Sequence, residues 1–368
     1  MREVGLTSIW EQEPVLAVCG WSGSGKTTLL EQALGSLTER GLRVAVVKHD
    51  AHGLDFDREG KDSDRLFNAG ADVHLRGPGE LIWRMHESPH RDLSRAVGRL
   101  LENHDFVLVE GHKETPLPKV WCSDRLNAAP PDGLVAVRAV LPWDGRRCEL
   151  LLAEVDRRFE ESRRKRPLFG GLLIGGLSRR MGSPKHLIEL AGKTMLEKVF
   201  GVLEPGVDRV VLLGSGEVPP VLSGLKQLPD TPDAGAGPLA ALVTALRWAP
   251  RAGWLVVACD MPKLTPEALA WLERERGPGR WVVLPKDSEG RPEPLLAVYE
   301  PQSGHLLEGL VARGCRAPRV LAEFPQIHTP AIPPNLAPAW VNVNHPEDLG
   351  NRKPLKEGRD QNQGQEGR

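Results

Sequence analysis

The sequence predicts an α/β fold arranged as two three-layer domains. Short β-branched runs alternate with helical patterns along the chain, and this order is typical of parallel sheets with helices on both faces. The 368 residues are enough for two domains of ordinary size, each with its own hydrophobic core. The alternation starts afresh near residue 168, so we expect one domain at 1–165 and a second at 166–350. The tail at 351–368 has almost no apolar residues and is expected to be disordered.

In the first half, predicted strands alternate with predicted helices. The run "PVLAVCG" predicts a buried strand and "TTLLEQALGSLTER" the helix after it, which Gly41 ends before the strand "RVAVVKH". The run "FVLVEG" at 106–111 predicts a third strand. The charged stretch 154–170 predicts a solvated helix that stops at Pro167 and runs into a linker between the domains.

The second half repeats the alternation with different residues. "GGLLIGG" predicts a strand, "KTMLEKVFGVL" a helix, and "RVVLLGS" and "WLVVACD" two more strands. Between them, "GPLAALVTALRWA" has apolar residues at the spacing of one helix face, with Pro238 suited to the first turn. No internal repeat is evident, because the glycine-rich turns of the two halves differ.

Composition and charge exclude several classes of protein. Lys and Arg number 48 against 49 Asp and Glu, so the net charge is −1 and no bulk field attracts nucleic acid or an anionic membrane. The apolar runs are of strand length, and the first residues lack the apolar core of a signal peptide. The five scattered cysteines form no C-x-x-C pair, which predicts a reduced, cytoplasmic enzyme without a zinc knuckle or a disulfide framework.

A first phosphate site is predicted at "GWSGSGKT", which satisfies G-x-x-x-x-G-K-[ST] between a strand and a helix. The glycines let the backbone curl so that its N–H groups point at phosphate oxygens, Lys26 neutralises the β- and γ-phosphates, and Thr27 completes a Mg²⁺ shell. Glu110, at the end of "FVLVEG", is a further candidate magnesium ligand. The predicted nucleotide-binding residues of this site are Gly20, Gly23, Gly25, Lys26, Thr27 and Thr28.

The loop at 48–63 is dense in histidine and aspartate. Its residues His49, His52, Asp55 and Asp57 make a metal site conceivable. Solvated loop polarity, or a switch that senses the nucleotide, is the favoured interpretation.

Four stretches of the first half resemble the accessory GTP-binding protein of molybdopterin-guanine dinucleotide synthesis, the MobB type. They are "WSGSGKTTLL", "KHDAHGLDFDREGKDS", "NAGAD" and "LVEGHK", and the resemblance covers roughly residues 14–155. It implies GTP binding, weak GTPase activity and a homodimer through this half as expectations. The family's polar "SD" before the last strand's loop is replaced by Arg138-Ala139, and no N-K-x-D motif is present, so guanine preference here rests on the resemblance alone.

A second phosphate site of another design is predicted at "LIGGLSRRMGSPK". A strand that opens into two glycines leaves bare backbone at the carboxyl edge of a sheet, where open α/β folds bind ligands. Arg179, Arg180 and Lys185 add positive charge of the kind that a nucleotidyl transfer needs around the α-phosphate and pyrophosphate. Further along, Asp260 ends the run "VVACD", where a carboxylate suits Mg²⁺, and Asp230 precedes a predicted helix start.

Together these residues resemble the molybdenum cofactor guanylyltransferase, the MobA type, over roughly 168–350. The family pattern L-A-G-G-x-x-x-R-M-G-x-x-K appears from Leu173 to Lys185, with Ile174 in place of alanine, and "D…GPL", "CDMP" and "NVN" follow in order. The resemblance implies a Rossmann-like nucleotidyltransferase fold here, beside a P-loop NTPase fold in the first half. Residue by residue, it implies GTP binding by Leu173, Ile174, Gly175 and Lys185, guanine-nucleotide contact by Asp230, nucleotide and magnesium binding by Asp260, catalytic assistance from Arg180, and molybdopterin contact by Asn342 and Asn344.

The implied reaction transfers GMP from GTP to molybdopterin, which gives molybdopterin-guanine dinucleotide and pyrophosphate. The second glycine of the loop favours guanine, whereas Ile174 is expected to put a branched side chain into the base pocket. Two alternatives stay open: a cytidylyl or sugar-phosphate transferase of the same fold, and a GTP-dependent module that binds and delivers the finished cofactor. Transient contacts with molybdenum-insertion proteins and apo-molybdoenzymes are expected, and nucleic-acid or membrane partners are not.

Overall fold

The computed structural model describes residues 7–49, 58–86, 92–126, 129–174, 184–235 and 237–343. Within these ranges the α/β prediction is confirmed in both halves. The predicted tail lies outside them, as do residues 50–57 of the His- and Asp-rich loop.

The first half contains a five-stranded sheet, counted over the described residues, in the order β2-β5-β1-β6-β7. All of its neighbouring strands are parallel, and β3 and β4 form a separate antiparallel hairpin. The elements are α1 (Thr7–Gln12), β1 (Val15–Gly20), α2 (Lys26–Glu39), β2 (Val44–Lys48), α3 (Asp62–Asn68), β3 (Val73–Gly77), β4 (Glu80–Arg84), α4 (Leu93–Leu101), β5 (Phe106–Glu110), β6 (Lys119–Cys122), β7 (Val137–Leu141) and α5 (Arg147–Lys165).

Helices cover both faces of this sheet, as a three-layer domain requires. Along β1, Leu16 and Val18 pack with the apolar residues of α2 and α5, whereas Ala17 and Cys19 pack on the opposite face with Val97 of α4. Such alternation places successive side chains of a buried strand in two separate cores.

The second half contains a seven-stranded sheet, again counted over the described residues, in the order β12-β11-β8-β13-β15-β14-β16. Helices α6 and α8 pack on one face, and α7 and α9 on the other. The elements are β8 (Leu168–Leu173), β9 (Glu189–Leu190), β10 (Lys193–Thr194), α6 (Met195–Leu203), β11 (Arg209–Leu213), β12 (Lys226–Leu228), α7 (Pro238–Trp248), β13 (Gly253–Ala258), α8 (Pro266–Arg274), β14 (Val282–Val283), β15 (Leu296–Tyr299), α9 (Ser303–Ala312) and β16 (Ile327–His328).

One strand corrects the expectation of purely parallel sheets. Strand β15 runs antiparallel to both β13 and β14, so the second sheet is mixed. The pattern of buried apolar residues in β15 is the same for either direction, which is why periodicity did not reveal it.

The charged helix at the junction is also different from its predicted form. Helix α5 ends at Lys165 and β8 begins at Leu168, so only Arg166 and Pro167 connect the two halves. Its Glu154 and Arg158 are each 1% exposed, which contradicts a simply solvated helix. Arg158 donates hydrogen bonds to the main-chain oxygens of three residues before and at the start of β1, namely Trp10, Glu13 and Val15.

The two halves contact each other through the amino edges of their sheets. Asp105, just before β5, accepts a hydrogen bond of 2.8 Å from the indole of Trp281, just before β14. Both residues are buried, and the Arg43 guanidinium lies over the Trp281 ring. Burial raises the pKa of the Asp105 carboxyl, and the Arg43 backbone N–H and the Trp281 indole partly offset that rise. The described part of the chain includes no helix long and apolar enough to cross a membrane.

Candidate functional site

The glycine-rich turn at 20–27 joins β1 to α2 and depends on its glycines for steric reasons. A Cβ on Gly20 would lie 2.5 Å from Ser24 Oγ and 2.6 Å from the Cys122 carbonyl oxygen, so no larger residue fits. Gly23 and Gly25 have φ angles of 73° and 71°, in the left-handed region that glycine adopts without cost. The N-terminus of α2 therefore opens into a backbone nest of the kind that binds phosphate.

The polar side chains of this turn converge with the end of β5. Lys26 Nζ donates to the Trp21 carbonyl oxygen at 2.8 Å, and Thr27 Oγ1 donates to Glu110 Oε1 at 3.2 Å. Thr28 lies in the first turn of α2 with an exposed side chain. The structure thus brings together all seven residues that the sequence singled out here. Thr27 and Glu110 form a pair of hard oxygen donors suited to magnesium.

Two residues that the sequence analysis missed, Arg147 and Trp143, support this turn. The Arg147 guanidinium, at the start of α5, donates to the carbonyl oxygens of Ser24 at 2.9 Å and of Pro142 at 2.9 Å. It also lies over the Trp143 ring, which in turn contacts the position of a Cβ on Gly25. Because Arg147 is more than 120 residues from Ser24, no local pattern could have indicated the contact.

The possibility of a metal site in the loop at 48–63 finds no support in the described residues, which hold no group of three or more His, Cys, Asp or Glu able to bind a metal ion. His49 lies with its ring 5.0 Å from that of His112, while His52, Asp55 and Asp57 lie outside the described ranges. Burial lowers the pKa of His112, and the neighbouring His49 and Lys119 lower it further.

Arg138, which replaces the first polar residue of the family's "SD", forms ion pairs with Glu154 and Glu161 of α5. These pairs connect β7 to that helix.

The second site is formed at the carboxyl edge of the second sheet. The Leu173 carbonyl oxygen accepts a hydrogen bond of 3.3 Å from the Cys259 N–H, so the ends of β8 and β13 lie side by side. The Ile174 side chain is 5% exposed and belongs to the core cluster that includes the apolar residues of α6, and its role in a base pocket stays a prediction. Gly214 packs so tightly on the Ile174 backbone that a Cβ there would lie 2.2 Å from the Ile174 oxygen.

Lys185 and Asp260 meet directly at this edge. Lys185 Nζ lies 2.9 Å from Asp260 Oδ2, with side-chain exposures of 23% and 14%. The Asp260 carbonyl oxygen accepts a hydrogen bond of 2.9 Å from the Val343 N–H, and this brings the segment that contains Asn342 next to the Asp260 main chain. Burial and the Asp260 charge raise the pKa of the adjacent Cys259 thiol to about 12, so the thiol stays protonated at neutral pH.

Three buried oxygen atoms in segments near this edge have no hydrogen-bond partner among the residues that the structure describes. They are Asp230 Oδ1, the neighbouring Thr231 Oγ1 and Asn342 Oδ1. The other oxygen of Asp230 accepts a weak hydrogen bond of 3.3 Å from Gly237 N at the start of α7. Orphaned buried acceptors cost stability unless a ligand supplies a donor. The predicted residues Gly175, Arg180 and Asn344 lie outside the described ranges.

The two halves of the chain match two different protein families. Residues 170–325 match the "MobA-like NTP transferase domain", and residues 15–136 match "Molybdopterin guanine dinucleotide synthesis protein B". Over 185 residues the chain is 36% identical to the "Probable molybdenum cofactor guanylyltransferase" of Pelotomaculum thermopropionicum. The match covers 49% of this chain and 89% of that protein. The chain belongs to the molybdenum cofactor guanylyltransferase family. Its fold agrees with the resemblance stated from the sequence.

Two further relatives concern the fusion. The chain is 42% identical over 113 residues to the "Molybdopterin-guanine dinucleotide biosynthesis adapter protein" of Haemophilus influenzae, and the match covers 30% of this chain and 62% of the adapter. It is 29% identical over 189 residues to the "Molybdenum cofactor biosynthesis bifunctional protein" of Synechocystis, covering 50% of this chain and 53% of that protein. The chain therefore combines a guanylyltransferase-family half with a half similar to the adapter proteins.

Proposed function

We propose that the second half transfers GMP from GTP to molybdopterin and releases pyrophosphate, and that the first half is an accessory GTP-binding domain. The observation that carries the proposal is the Lys185–Asp260 pair. It lies at the carboxyl edge of the second sheet, in the half of the chain that matches the "MobA-like NTP transferase domain". A nucleotidyl transfer to a phosphate acceptor needs no protein nucleophile, so positioning and charge account for most of the catalysis.

In this proposal Lys185 stabilises the negative charge that grows on the phosphates, and Arg180 assists from the same loop. The amine has its counter-charge 2.9 Å away in Asp260, which fixes its location before the nucleotide arrives. Donors aimed beforehand at developing charge lower the barrier, because they need no reorganisation during the reaction. The acceptor's terminal phosphate attacks the α-phosphorus, and pyrophosphate leaves.

Magnesium suits the donor sets of both sites. Asp260 would hold it in the second site, and Thr27 with Glu110 would hold it in the first, since Mg²⁺ takes one or two protein oxygens and fills its remaining positions with phosphate oxygens and water. When bound, the cation supplies charge neutralisation and geometric order to the phosphates. In this proposal Asp260 acts on the triphosphate through the cation, and Lys185 acts through its own charge.

In this proposal the unpaired acceptors bind the two substrates. Asp230 Oδ1 would accept hydrogen bonds from the N–H groups of guanine, and the backbone of Leu173, Ile174 and Gly175 would line the nucleotide. Asn342 Oδ1, in the segment next to the Asp260 main chain, would accept a hydrogen bond from the pterin, with Asn344 close in sequence. A ligand donor that satisfies a buried acceptor contributes specificity, since an analogue without the donor leaves the acceptor unpaired.

The first half is proposed to bind GTP through Gly20, Gly23, Gly25, Lys26, Thr27 and Thr28 and to hydrolyse it slowly. The support is the open nest at the start of α2 and the Thr27–Glu110 pair. Transient contacts with molybdenum-insertion proteins and apo-molybdoenzymes, and a homodimer through this half, belong to the same proposal. The domain limits proposed are 1–165 and 166–350.

The decisive experiment incubates the protein with molybdopterin, Mg²⁺ and one of GTP, CTP or ATP, and measures the mass of the product and the release of pyrophosphate. The proposal expects molybdopterin-guanine dinucleotide from GTP alone. A cytidine or adenosine dinucleotide would indicate a different transferase. Orthophosphate without pyrophosphate or dinucleotide would favour a module that only binds and delivers the cofactor.

A further inference from the structure

Lys185 belongs to a single turn of 3₁₀ helix, Lys185–Leu187, that comes directly after the part of the glycine loop outside the described ranges. The turn is too short to hold itself in place, since its internal hydrogen bonds are from Leu187 N to the Pro184 oxygen and from Ile188 N to the Lys185 oxygen. Lys185 itself is bound at its far end to Asp260. The chain directly after the turn is held by a hydrogen bond of 2.9 Å from Met195 N to the Ile188 oxygen, and a side-chain contact from within the turn adds to it.

His186 makes that contact. Its side chain is buried, at 3% exposure, and its Nε2 lies 2.7 Å from the carbonyl oxygen of Glu217, in the segment that follows β11. A carbonyl oxygen only accepts hydrogen bonds, so Nε2 carries the proton and donates. The ring also packs against Gly216, where an added Cβ would lie 3.3 Å from the ring.

The segment that receives His186 is itself held firmly. Gly214 N donates to the Leu228 oxygen at 2.8 Å, and Gly214 packs on the Ile174 carbonyl, where the glycine loop begins. The Gly216 oxygen accepts a hydrogen bond of 3.1 Å from Gln227 of β12. His186 therefore connects the turn that carries Lys185 to the strand ends that carry the rest of the site.

We propose that His186 is a positioning residue of the transferase site, which holds the Lys185 turn in register through its hydrogen bond to the Glu217 carbonyl. It touches neither nucleotide nor acceptor and acts through Lys185. The inference rests on the transferase function proposed above. A displacement of about 1 Å in a charge-stabilising group costs roughly 10²-fold in rate, so loss of the anchor is expected to lower kcat strongly.

The test compares two substitutions of similar size. His186→Gln keeps an amide N–H that reaches the Glu217 oxygen, whereas His186→Leu fills the volume without a donor and leaves the buried carbonyl unpaired. We expect His186→Leu to lower kcat for pyrophosphate release at least tenfold, and His186→Gln to retain most of the rate. Thermal unfolding of both variants shows how much of each effect is loss of fold.

The double-mutant cycle separates positioning from simple stability. In a Lys185→Ala background, measured by single-turnover kinetics, His186→Leu should change the residual rate by less than twofold, because the group it positions is gone. An equal loss in both backgrounds would overturn the inference, as would full activity of His186→Leu in the native background. Failure of the unmodified protein to release pyrophosphate would instead overturn the proposed transferase function.

Discussion

The ammonium of Lys185 lies 2.9 Å from the carboxylate of Asp260, although 75 residues separate them in the chain. The contact joins the turn after the glycine loop to the end of β13. Each charge has the other as its partner, so a magnesium-bound triphosphate competes with the ion pair on both sides, the cation for Asp260 and the phosphates for Lys185. The two residues are therefore expected to respond together to the nucleotide.

Replacement of Asp260 by asparagine tests this arrangement with little change in volume. Asp260→Asn deletes the negative charge proposed to hold Mg²⁺, and loss of one electrostatic contributor of this kind costs about 10²-fold or more in rate. Pyrophosphate release at saturating GTP measures the effect. Glu308→Gln, which removes a surface ion pair with Arg247, is the matched control and should leave the rate unchanged. Near-native turnover of Asp260→Asn would remove Asp260 from the mechanism.

The two lysines should act in separate reactions. Lys26→Ala removes the cation of the first phosphate turn and should reduce orthophosphate release from GTP, while guanylyl transfer with free molybdopterin continues. Lys185→Ala should lower transfer to a small residual rate and spare hydrolysis. Orthophosphate and pyrophosphate, measured side by side on both variants, give the answer. If Lys26→Ala stops pyrophosphate release as fully as Lys185→Ala, the halves form one coupled active site.

Gly20→Ala is expected to disrupt the first site. The new methyl group would lie 2.5 Å from Ser24 Oγ and 2.6 Å from the Cys122 carbonyl, and at least one of them would have to move. We expect GTP binding to the first half to fall at least tenfold, as measured by calorimetry in a Lys185→Ala background. Gly35→Ala, at an open position of α2, is the control and should bind normally. Normal binding by Gly20→Ala would show that the turn tolerates a larger residue.

Ile174→Ala should affect stability and leave base choice unchanged. The side chain packs in the core, and Ile→Ala changes at such positions cost about 2–5 kcal/mol. Denaturant unfolding measures that cost, and the ratio of kcat/KM for GTP and CTP measures base choice. A shift of that ratio by more than about fivefold, or ~1 kcal/mol, would mean that the side chain reaches the base after all.

The Cys259 thiol should report on the opening of the second site. With a pKa of about 12 it is almost entirely protonated at pH 8, so its reaction with a chromogenic disulfide should be slow and should rise nearly tenfold per pH unit until that pKa. The partly exposed thiols of Cys148 and Cys315 should react first. Mg²⁺ bound at Asp260 would offset the charge that helps to raise this pKa, so added Mg²⁺ should speed the reaction of Cys259. Rapid, pH-independent labelling of Cys259, followed by mass analysis, would contradict its burial.

Much of the fold was predictable because it depends on short-range patterns. The strand, turn and helix around Lys26 occupy a contiguous stretch, and the glycines encode its backbone directly. The direction of β15 was not predictable, because a strand buried on both faces has the same pattern either way. The close packing of Gly214 on the Ile174 carbonyl was not predictable either, because the two residues are 40 positions apart.

The candidate sites divide in the same way. Lys185 and Asp260 were found by motif, and their ion pair was not, because only the neighbouring ends of β8 and β13 bring them together. Arg147 and His186 carry no motif at all. Each donates a hydrogen bond to the main-chain oxygen of a distant residue, Ser24 for Arg147 and Glu217 for His186. Because every residue has such an oxygen, the sequence does not indicate which one is the acceptor.

The two halves contact each other through the amino edges of their sheets, and this has a consequence for the location of the two nucleotide sites. Each candidate nucleotide site lies at the opposite, carboxyl edge, and a strand of six residues such as β1 or β8 spans about 20 Å. Each candidate site is therefore about one strand length away from the contact between the halves. Fusion thus fixes the two halves in equal numbers, while each candidate site keeps the carboxyl edge of its own sheet.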